Sequence, residues 1–331
     1  MANKKILLVG GAGYIGNHVF LSLIDNGFLP VIFDNLSNSH KQKIDNLSSY
    51  TQQEIDFVEG DIKNKDDLES VFKKYSFNSV IHLAALKSVP KSNEEYIEYY
   101  QNNISGLINV LDVMKKNDVK KIIFSSSATV YGDGSVSPVS EDMMTSSNNT
   151  YGLTKVLGEE LIKNICNIDK SWSAIILRYF NPAGSRDVNL FKEDPKTPGG
   201  NLFPLILDSF KKTPKTFKIF GNDYDTPDGT PIRDFIHVED LANAHVLSLE
   251  KLLKSSKPYF NVLNIGTGRP QTVLDIVKTF ENIIGCNLEI DFIDRRPNDI
   301  GSSFADIQLA KKEIGFLPKH DLYSICESSI N

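Results

Sequence analysis

Cysteine is scarce in this chain: three in 331 residues, Cys166, Cys286 and Cys326. An odd, scattered set without metal-ligand spacing supports neither a disulfide framework nor a zinc site, and a reduced, cytoplasmic setting is expected. Long apolar runs are lacking too, since none approaches the ~20 residues a membrane-spanning helix needs. There is no basic excess. With 36 Lys and Arg against 42 Asp and Glu, the net charge of -6 argues against nucleic acid or an anionic membrane as a partner. A phosphorylated ligand would have to be met by a local cationic pocket. Nor does the N-terminus read as a secretory leader: its charged residues run into a short strand-like segment and then glycines, where an apolar core should continue. The sequons beginning at Asn46, Asn103 and Asn148 are then chance matches. No internal repeat is present, and the apolar (40%) and charged (24%) fractions are those of a globular protein. Two packed units, or one large unit carrying a lobe, are expected at this length.

What the chain does have is a rhythm. Short, mostly β-branched apolar runs at 5–9, 29–33, 55–58, 79–83, 121–125 and 174–178 predict buried strands. Helical stretches at 13–26, 66–75, 96–116 and 149–167 lie between them. Strands alternating with helices predict an α/β fold, a doubly wound parallel sheet. After Asn181 and Pro182 the rhythm breaks into a Pro-, Gly-, Asp- and Lys-rich stretch to about 234, with one clear helix near 202–211. This reads as the start of a smaller lobe on the carboxyl edge of the sheet. A helix over 238–253 and a strand over 259–265 that can return to the sheet follow, and the remainder resumes the lobe.

Residues 10–16, GGAGYIG, fall between the first strand and the first helix. Gly10, Gly13 and Gly16 let the backbone turn sharply and approach a pyrophosphate, whose charge the helix N-terminus stabilises. Asp34 closes the second strand about twenty residues on, where a carboxylate can accept from both hydroxyls of an adenosine ribose. The same acid would repel a 2′-phosphate, so NAD is expected rather than NADP. Asp61 and Ile62 follow the third strand and can hold the adenine edge. Leu83, Ala84 and Ala85 end the fourth with room for a cofactor to pass. Lys87 just beyond can meet a phosphate, although in isolation a solvated loop lysine explains it better.

Tyr151 and Lys155 are four apart and share one helix face. A phenol titrates near pH 10, too high for a base at neutral pH. A neighbouring ammonium, together with a positive nicotinamide ring, is expected to lower it by about three units, roughly 4 kcal/mol. The strand end at 125–131, SSSATVY, sets hydroxyls where ligands of such sheets bind. Ser127 is the best placed to bond a substrate oxygen beside the tyrosine and shuttle its proton, with Thr129 close by. Taken singly, these are an exposed helix pair and a polar turn. In this order and spacing, with the glycine-rich turn, they point to a hydride-transfer enzyme.

The turn, Ser127, Tyr151 and Lys155 together resemble the extended short-chain dehydrogenase/reductases. The stretches SSSATVYG (125–132), LRYFNPAG (177–184), GGNLFP (199–204) and FGNDYDTPDGTPIRDFIHVEDL (220–241) sharpen the resemblance to the UDP-glucose 4-epimerases, and it covers nearly the whole chain. It implies an NAD-binding Rossmann domain over 1–180, with 235–265 returning to it, and a UDP-sugar-binding lobe over 181–331. By the same resemblance Tyr151 is the base, Ser127 its hydroxyl partner, and Lys155 the holder of the nicotinamide ribose. NAD contacts map onto Tyr14, Ile15, Asp34, Asn35, Asn38, Ser39, Asp61, Ile62, Lys87, Asn102 and Phe180. UDP-sugar contacts map onto Asn181, Asn201, Leu202, Phe220, Arg233, Arg296 and Asp299. Arg233 and Arg296 suit a diphosphate, Phe220 offers a face to uracil, and Asp299 can accept from the uridine ribose. Ser303 falls where the hexose pocket is expected, and its small side chain leaves space for a 2-acetamido group.

Two positions depart from the family pattern. Asn298 replaces a glycine, and asparagine tolerates a left-handed backbone better than most residues. Thr150 replaces a proline before the catalytic tyrosine, which loosens the helix start. The implied reaction is a redox cycle closed on one enzyme, with a 4-keto sugar as intermediate and NAD retained. A 4,6-dehydratase would need an Asp-Glu pair after the strand-end hydroxyl, where this chain has Ala128 and Thr129. A non-catalytic NAD-sensing module would need none of Ser127, Tyr151 and Lys155. The resemblance also implies a homodimer formed by the helices near 96–116 and 149–167.

Overall fold

The computed structural model describes residues 4–133, 136–193, 201–296 and 299–330. In the first half β1 (Lys5–Val9), β2 (Leu29–Asp34), β3 (Phe57–Glu59), β4 (Ser79–His82), β5 (Lys121–Ser127) and β6 (Ser173–Tyr179) alternate with helices. These are α1 (Tyr14–Asp25), α2 (Lys41–Thr51), α3 (Lys65–Lys74), α4 (Val89–Glu94), α5 (Tyr96–Tyr100), α6 (Gly106–Lys116) and α7 (Thr150–Ile168). The second half holds β7 (Asn181–Ala183), β8 (Thr216–Phe220), β9 (Ile232–Arg233), β10 (Phe235–His237), β11 (Phe260–Ile265), β12 (Gln271–Thr272), β13 (Glu289–Ile293) and β14 (Ser302–Ser303). Its helices are α8 (Val188–Phe191), α9 (Leu202–Phe210), α10 (Val238–Lys254), α11 (Val273–Ile284), α12 (Gln308–Ile314) and α13 (Leu322–Glu327).

Seven strands form one sheet in the order β3-β2-β1-β4-β5-β6-β11, every neighbouring pair parallel. Strands such as KILLV and SVIH are buried along nearly their whole length, as a parallel sheet covered on both faces requires. One face packs Ile6, Leu8, Ile32 and Ile123 against α1 and α10; the other packs Leu7, Val9, Val80 and Ile122 against α3, α6 and α7. The strand order reverses at β1, between β2 and β4. There the carboxyl ends of the strands open a crevice, the usual ligand position of such sheets.

The lobe is built on smaller pairings: β8 with β13, β10 with β7, and β9 with both β12 and β14. Its core joins Phe203 and Ile206 of α9, Ile276 and Phe280 of α11, and Ile325 of α13. Helix α12 reads in sequence as part of this lobe, but Ala310, Ile314 and Phe316 pack into the core under the main sheet. The expected single helix at 96–116 is divided, with a π-helical turn at Gln101–Ser105 between α5 and α6. Such a turn adds a residue per bond and marks functional stretches; here it brings Asn102 and Asn103 inward, both buried. Thr150 does not leave α7 loose at its start. Asn149 caps it by accepting from Gly152 N at 2.9 Å, and Thr150 N donates to Asn93 Oδ1 at 3.2 Å.

Four histidines are buried as neutral rings. Burial lowers His18 and His245 to about 4 and His82 and His237 to about 3. The unfolded chain therefore binds more protons below the ordinary value near 6.5, and stability is lost as pH falls from there toward 4. His320 runs the other way, because its hydrogen bond to Asp240 raises it; its contribution is present below 6.5 and lost above its folded pKa. The four outweigh the one. We expect at least about 2 kcal/mol to be lost between pH 6.5 and 5, read from the urea midpoint. An unchanged midpoint would contradict this.

Candidate active site

The glycine-rich turn leads from β1 into α1, whose N-cap is Gly13 with no side-chain cap. Its first N–H groups and the helix dipole are thus available to an anion. Gly10 has φ +81°, and a Cβ there would lie 2.6 Å from Ala84 N, so only glycine fits against the end of β4. Gly13 is different. A Cβ on it would meet nothing nearer than Gly10 O at 3.5 Å, which is the open approach a pyrophosphate needs. Gly16 allows α1 to pack on the turn, since its Cβ would sit 2.6 Å from the Gly10 and Gly11 carbonyls.

Beside the turn a cavity of about 180 Å³ is walled by Tyr14, Ile15, Asp34, Asn35, Asn38, Ser39, Ile62, Leu83, Ala84, Ala85, Lys87 and Asn102. Asp34 Oδ2 accepts from Ala12 N at 3.0 Å and Oδ1 from Leu36 N at 2.8 Å. It pins the turn while each oxygen keeps a lone pair for a ribose hydroxyl. Burial raises its pKa and the two amides oppose that. No arginine lines the cavity among the described residues. Asp61 is off its wall and accepts from Asn35 Nδ2 at 3.1 Å. Phe180 is also outside it, in a small core with Val130 and Tyr131. The residues present fit a dinucleotide: bare amides at a helix start, an open glycine and an acid at the second strand end.

At the end of β5, Ser127 Oγ accepts from Thr129 N at 3.2 Å and lies 3.0 Å from Thr129 Oγ1. Helix α7 runs across this strand end and carries Tyr151 and Lys155. Lys155 is 2% exposed, donates from Nζ to Ser125 O at 2.7 Å and lies 5.8 Å from the centre of the Tyr151 ring. The lowering expected for the phenol draws on a nicotinamide charge as well as on Lys155; the protein's own groups act as follows. Burial pushes Tyr151 up to about 12, against a hydrogen bond with Ser127 that pulls it down. Burial also pulls Lys155 down to about 7, with Glu159 opposing. Among the protein's own groups, desolvation is the largest influence on both.

A larger cavity of about 910 Å³ opens toward the lobe and is walled by Tyr14, Lys87, Asn181, Asn201, Leu202, Phe220, Arg233, Arg296 and Asp299 among others. Arg233 Nη2 donates to Asp299 Oδ1, and Nη1 donates to Ile232 O at 2.7 Å and Ile300 O at 2.9 Å. The Arg296 guanidinium lies 4.1 Å over the Phe220 ring. Tyr14 and Lys87 border both cavities. Ser127, Thr129, Tyr151, Lys155 and Phe180 line neither, although Ser125 and Tyr179 on the strand ends beside them line the smaller one. Ser303 pairs with Arg233 across β14 and β9 and is also absent from the cavity wall. Asn298 and the two glycines of GGNLFP lie outside the described residues.

Lys87 is half exposed and its Nζ pairs with Glu193 Oε1 at 2.8 Å, and Glu193 also accepts from Asn201 Nδ2 at 2.7 and 2.6 Å. One carboxylate thus holds a donor from each cavity. Glu193 was not foreseen, since an acid in a polar, irregular stretch carries no period or spacing.

This geometry has close counterparts. Residues 6–266 match the NAD dependent epimerase/dehydratase family. The chain is 43% identical over 327 residues to a UDP-glucose 4-epimerase from Dictyostelium discoideum, spanning 99% of this chain and 95% of the relative. It is 39% identical to the UDP-glucose 4-epimerase of Homo sapiens, over 98% and 94% of the two chains. Among solved structures, the UDP-glucose 4-epimerase of Stenotrophomonas maltophila with bound NAD and formylated UDP-arabinopyranose superposes with a TM-score of 0.94 at 37% identity, covering 98% and 96%. That of Bifidobacterium longum in complex with NAD+ and UDP gives 0.92 at 37% identity, covering 99% and 97%. The chain belongs to the NAD dependent epimerase/dehydratase family and, within it, to the UDP-glucose 4-epimerases.

Proposed function

We propose that the chain interconverts UDP-glucose and UDP-galactose by epimerisation at C4 with a tightly held NAD. The observation that carries this reading is the meeting of Ser127, Tyr151 and Lys155 at the end of β5, the strand whose Ser125 lines the dinucleotide crevice. NAD would lie along the glycine-rich turn, Asp34 and the strand ends to Lys155, and it supplies a reversible hydride acceptor. Tyr151 takes the proton of the sugar 4-hydroxyl, with Ser127 bonded to the same oxygen. Lys155 fixes the ribose nearest the reacting ring and adds positive charge beside the phenol. Arg233 and Arg296 neutralise the diphosphate, Phe220 and Leu202 hold the base, and Asp299 the uridine ribose. A firm grip on the nucleotide leaves the hexose free, so that the 4-keto sugar can turn its other face to the bound nicotinamide and take back the hydride at C4 while Tyr151 returns the proton to O4.

The rivals lack support. A dehydratase needs acids after Ser127, and the chain has Ala128 and Thr129 in a short 3-10 turn. A sensing module has no use for the reacting trio. Proton NMR of purified protein mixed with UDP-galactose, with no NAD added, tests the reading: UDP-glucose should appear, and an unchanged spectrum would refute it.

The reading extends to N-acetylated UDP-hexoses. Ser303 is small, partly buried and next to Arg233, and a tyrosine there would overpack the site by roughly 1–3 kcal/mol. Wild type is expected to turn over both substrate pairs, and Ser303→Tyr to lose the acetamido pair at least tenfold in kcat/KM while keeping the other. Equal acceptance by the variant removes Ser303 from this role.

A second copy of the chain would cover the apolar face on α5, α6 and α7, where Tyr96, Ile97, Ile108, Leu153 and Leu157 are exposed. A monomer in sedimentation at micromolar concentration would exclude that dimer. All three cysteines are free thiols, and no helix among the described residues is long and apolar enough to cross a membrane. Both support the proposed cytoplasmic setting.

A further inference from the structure

Behind the reacting groups lies a buried polar network that the reaction as described does not use. Glu159 follows Lys155 by one helical turn on α7, on the same face, and is 5% exposed. Arg178 of β6 holds it in a fork, Nε to Oε1 at 3.0 Å and Nη2 to Oε2 at 2.6 Å. Ser126 Oγ donates to Oε1. Arg178 Nη1 donates onward to Tyr131 Oη at 3.0 Å and to the Glu141 carbonyl at 3.3 Å. Ser126 stands between Ser125, whose carbonyl takes the Lys155 ammonium, and Ser127, the partner of Tyr151.

A buried ion pair is a poor stabilising device, because well-packed apolar groups of similar volume do as well or better. Its position therefore asks for another reason. Around Lys155, β5 contributes hydroxyls, carbonyls and the Phe124 ring at 5.0 Å. β4 contributes His82, kept neutral by burial. Tyr99 of α5, Tyr151 of α7 and Tyr179 of β6 are all phenols raised by burial. Arg178, Tyr131 and Glu141 are joined to one another beyond the carboxylate. Glu159 is the anion that acts on Lys155.

We infer that Glu159 is a positioning residue for the reaction: fixed by Arg178 and Ser126, it places a negative charge one helical turn from Lys155 and sets the strand end that presents Ser125 and Ser127. The inference rests on the proposed roles of Tyr151 and Lys155. A merely structural pair would show itself in stability alone. A positioning charge shows itself in the pH dependence, because removing it lets Lys155 deprotonate earlier.

Two variants of the purified holoprotein test this, Glu159→Gln and the double variant Glu159→Gln with Arg178→Met, which replaces the pair by neutral groups and restores folding if the single variant is too unstable. Expected for both are a KM for UDP-galactose within about twofold of wild type and an alkaline limb of kcat displaced downward, by about one pH unit in the single variant and by less in the double variant, which removes the Arg178 cation as well. The ¹³Cε titration midpoint of Lys155, followed by NMR in lysine-labelled protein, moves the same way, and the double variant regains thermal stability without regaining the profile. An unmoved alkaline limb and midpoint in either variant overturns the inference. So does a double variant with the wild-type profile, since the pair is then structural only. If wild type itself fails to epimerise, the reading beneath is lost, while the Lys155 titration still decides the electrostatic half.

Discussion

Replacing Tyr151 with phenylalanine should leave the protein folded and its cofactor bound, yet lower kcat by about 10²–10⁴-fold. The substitution removes one oxygen and keeps the ring, so the packing of α7 on the end of β5 is preserved. Lys155 keeps its bond to the Ser125 carbonyl, which does not depend on the phenol. What disappears is the proton acceptor that Ser127 addresses. Ser127 carries an ordinary hydroxyl, and the Lys155 amino group is engaged by the Ser125 carbonyl at 2.7 Å, so neither stands where the phenol does to take its place. Cofactor content by mass of the denatured extract, measured beside the rate, separates lost chemistry from lost binding. A variant keeping more than about a tenth of the wild-type rate would remove Tyr151 from its role.

Arg233→Ala should act on the other parameter. The guanidinium is largely enclosed, holds Asp299 and is itself held by the carbonyls of Ile232 and Ile300. Truncation deletes the cation and frees the Asp299 carboxylate to face a diphosphate unopposed. Losing a charge-assisted bond costs about 1.5–3 kcal/mol, and with the stranded carboxylate added the KM for UDP-galactose should rise about 100-fold. The kcat should change less than about threefold, since the nucleotide is remote from C4. Arg233→Lys should recover little, because a point charge cannot reproduce the fork that reaches both carbonyls and the carboxylate. A KM within about fivefold of wild type would make Arg233 a structural ion pair and nothing more.

Much of this was legible before any coordinates, and the reason is periodicity. Strands such as β1 and β4 are solid apolar runs, and the glycine-rich turn and the Tyr151–Lys155 spacing are local patterns that survive without tertiary context. What escaped notice lacked such a pattern. Helix α2 buries only Ile44 and Leu47, too few to mark a face. The π-helical turn at Gln101–Ser105 interrupts a run that looks continuous because its side chains stay helix-like. Helix α12 was assigned by its place in the chain, whereas its burial is decided by β11 and α10, which return to the sheet before it. Glu193 and Glu159 answer partners 106 and 19 residues away, and no spacing rule reaches that far. At Tyr151 the charge neighbours can be read from spacing, but the depth of burial, which opposes them, cannot.

The claim on which everything depends is that hydrogen leaves C4 and returns to C4 without passing through solvent. Incubating the protein as purified, without added cofactor, with UDP-galactose carrying deuterium at C4 tests it directly. The account predicts UDP-glucose that retains the deuterium at C4, in normal water and at full conversion to equilibrium. Product carrying solvent hydrogen at C4, or no UDP-glucose at all, would contradict it.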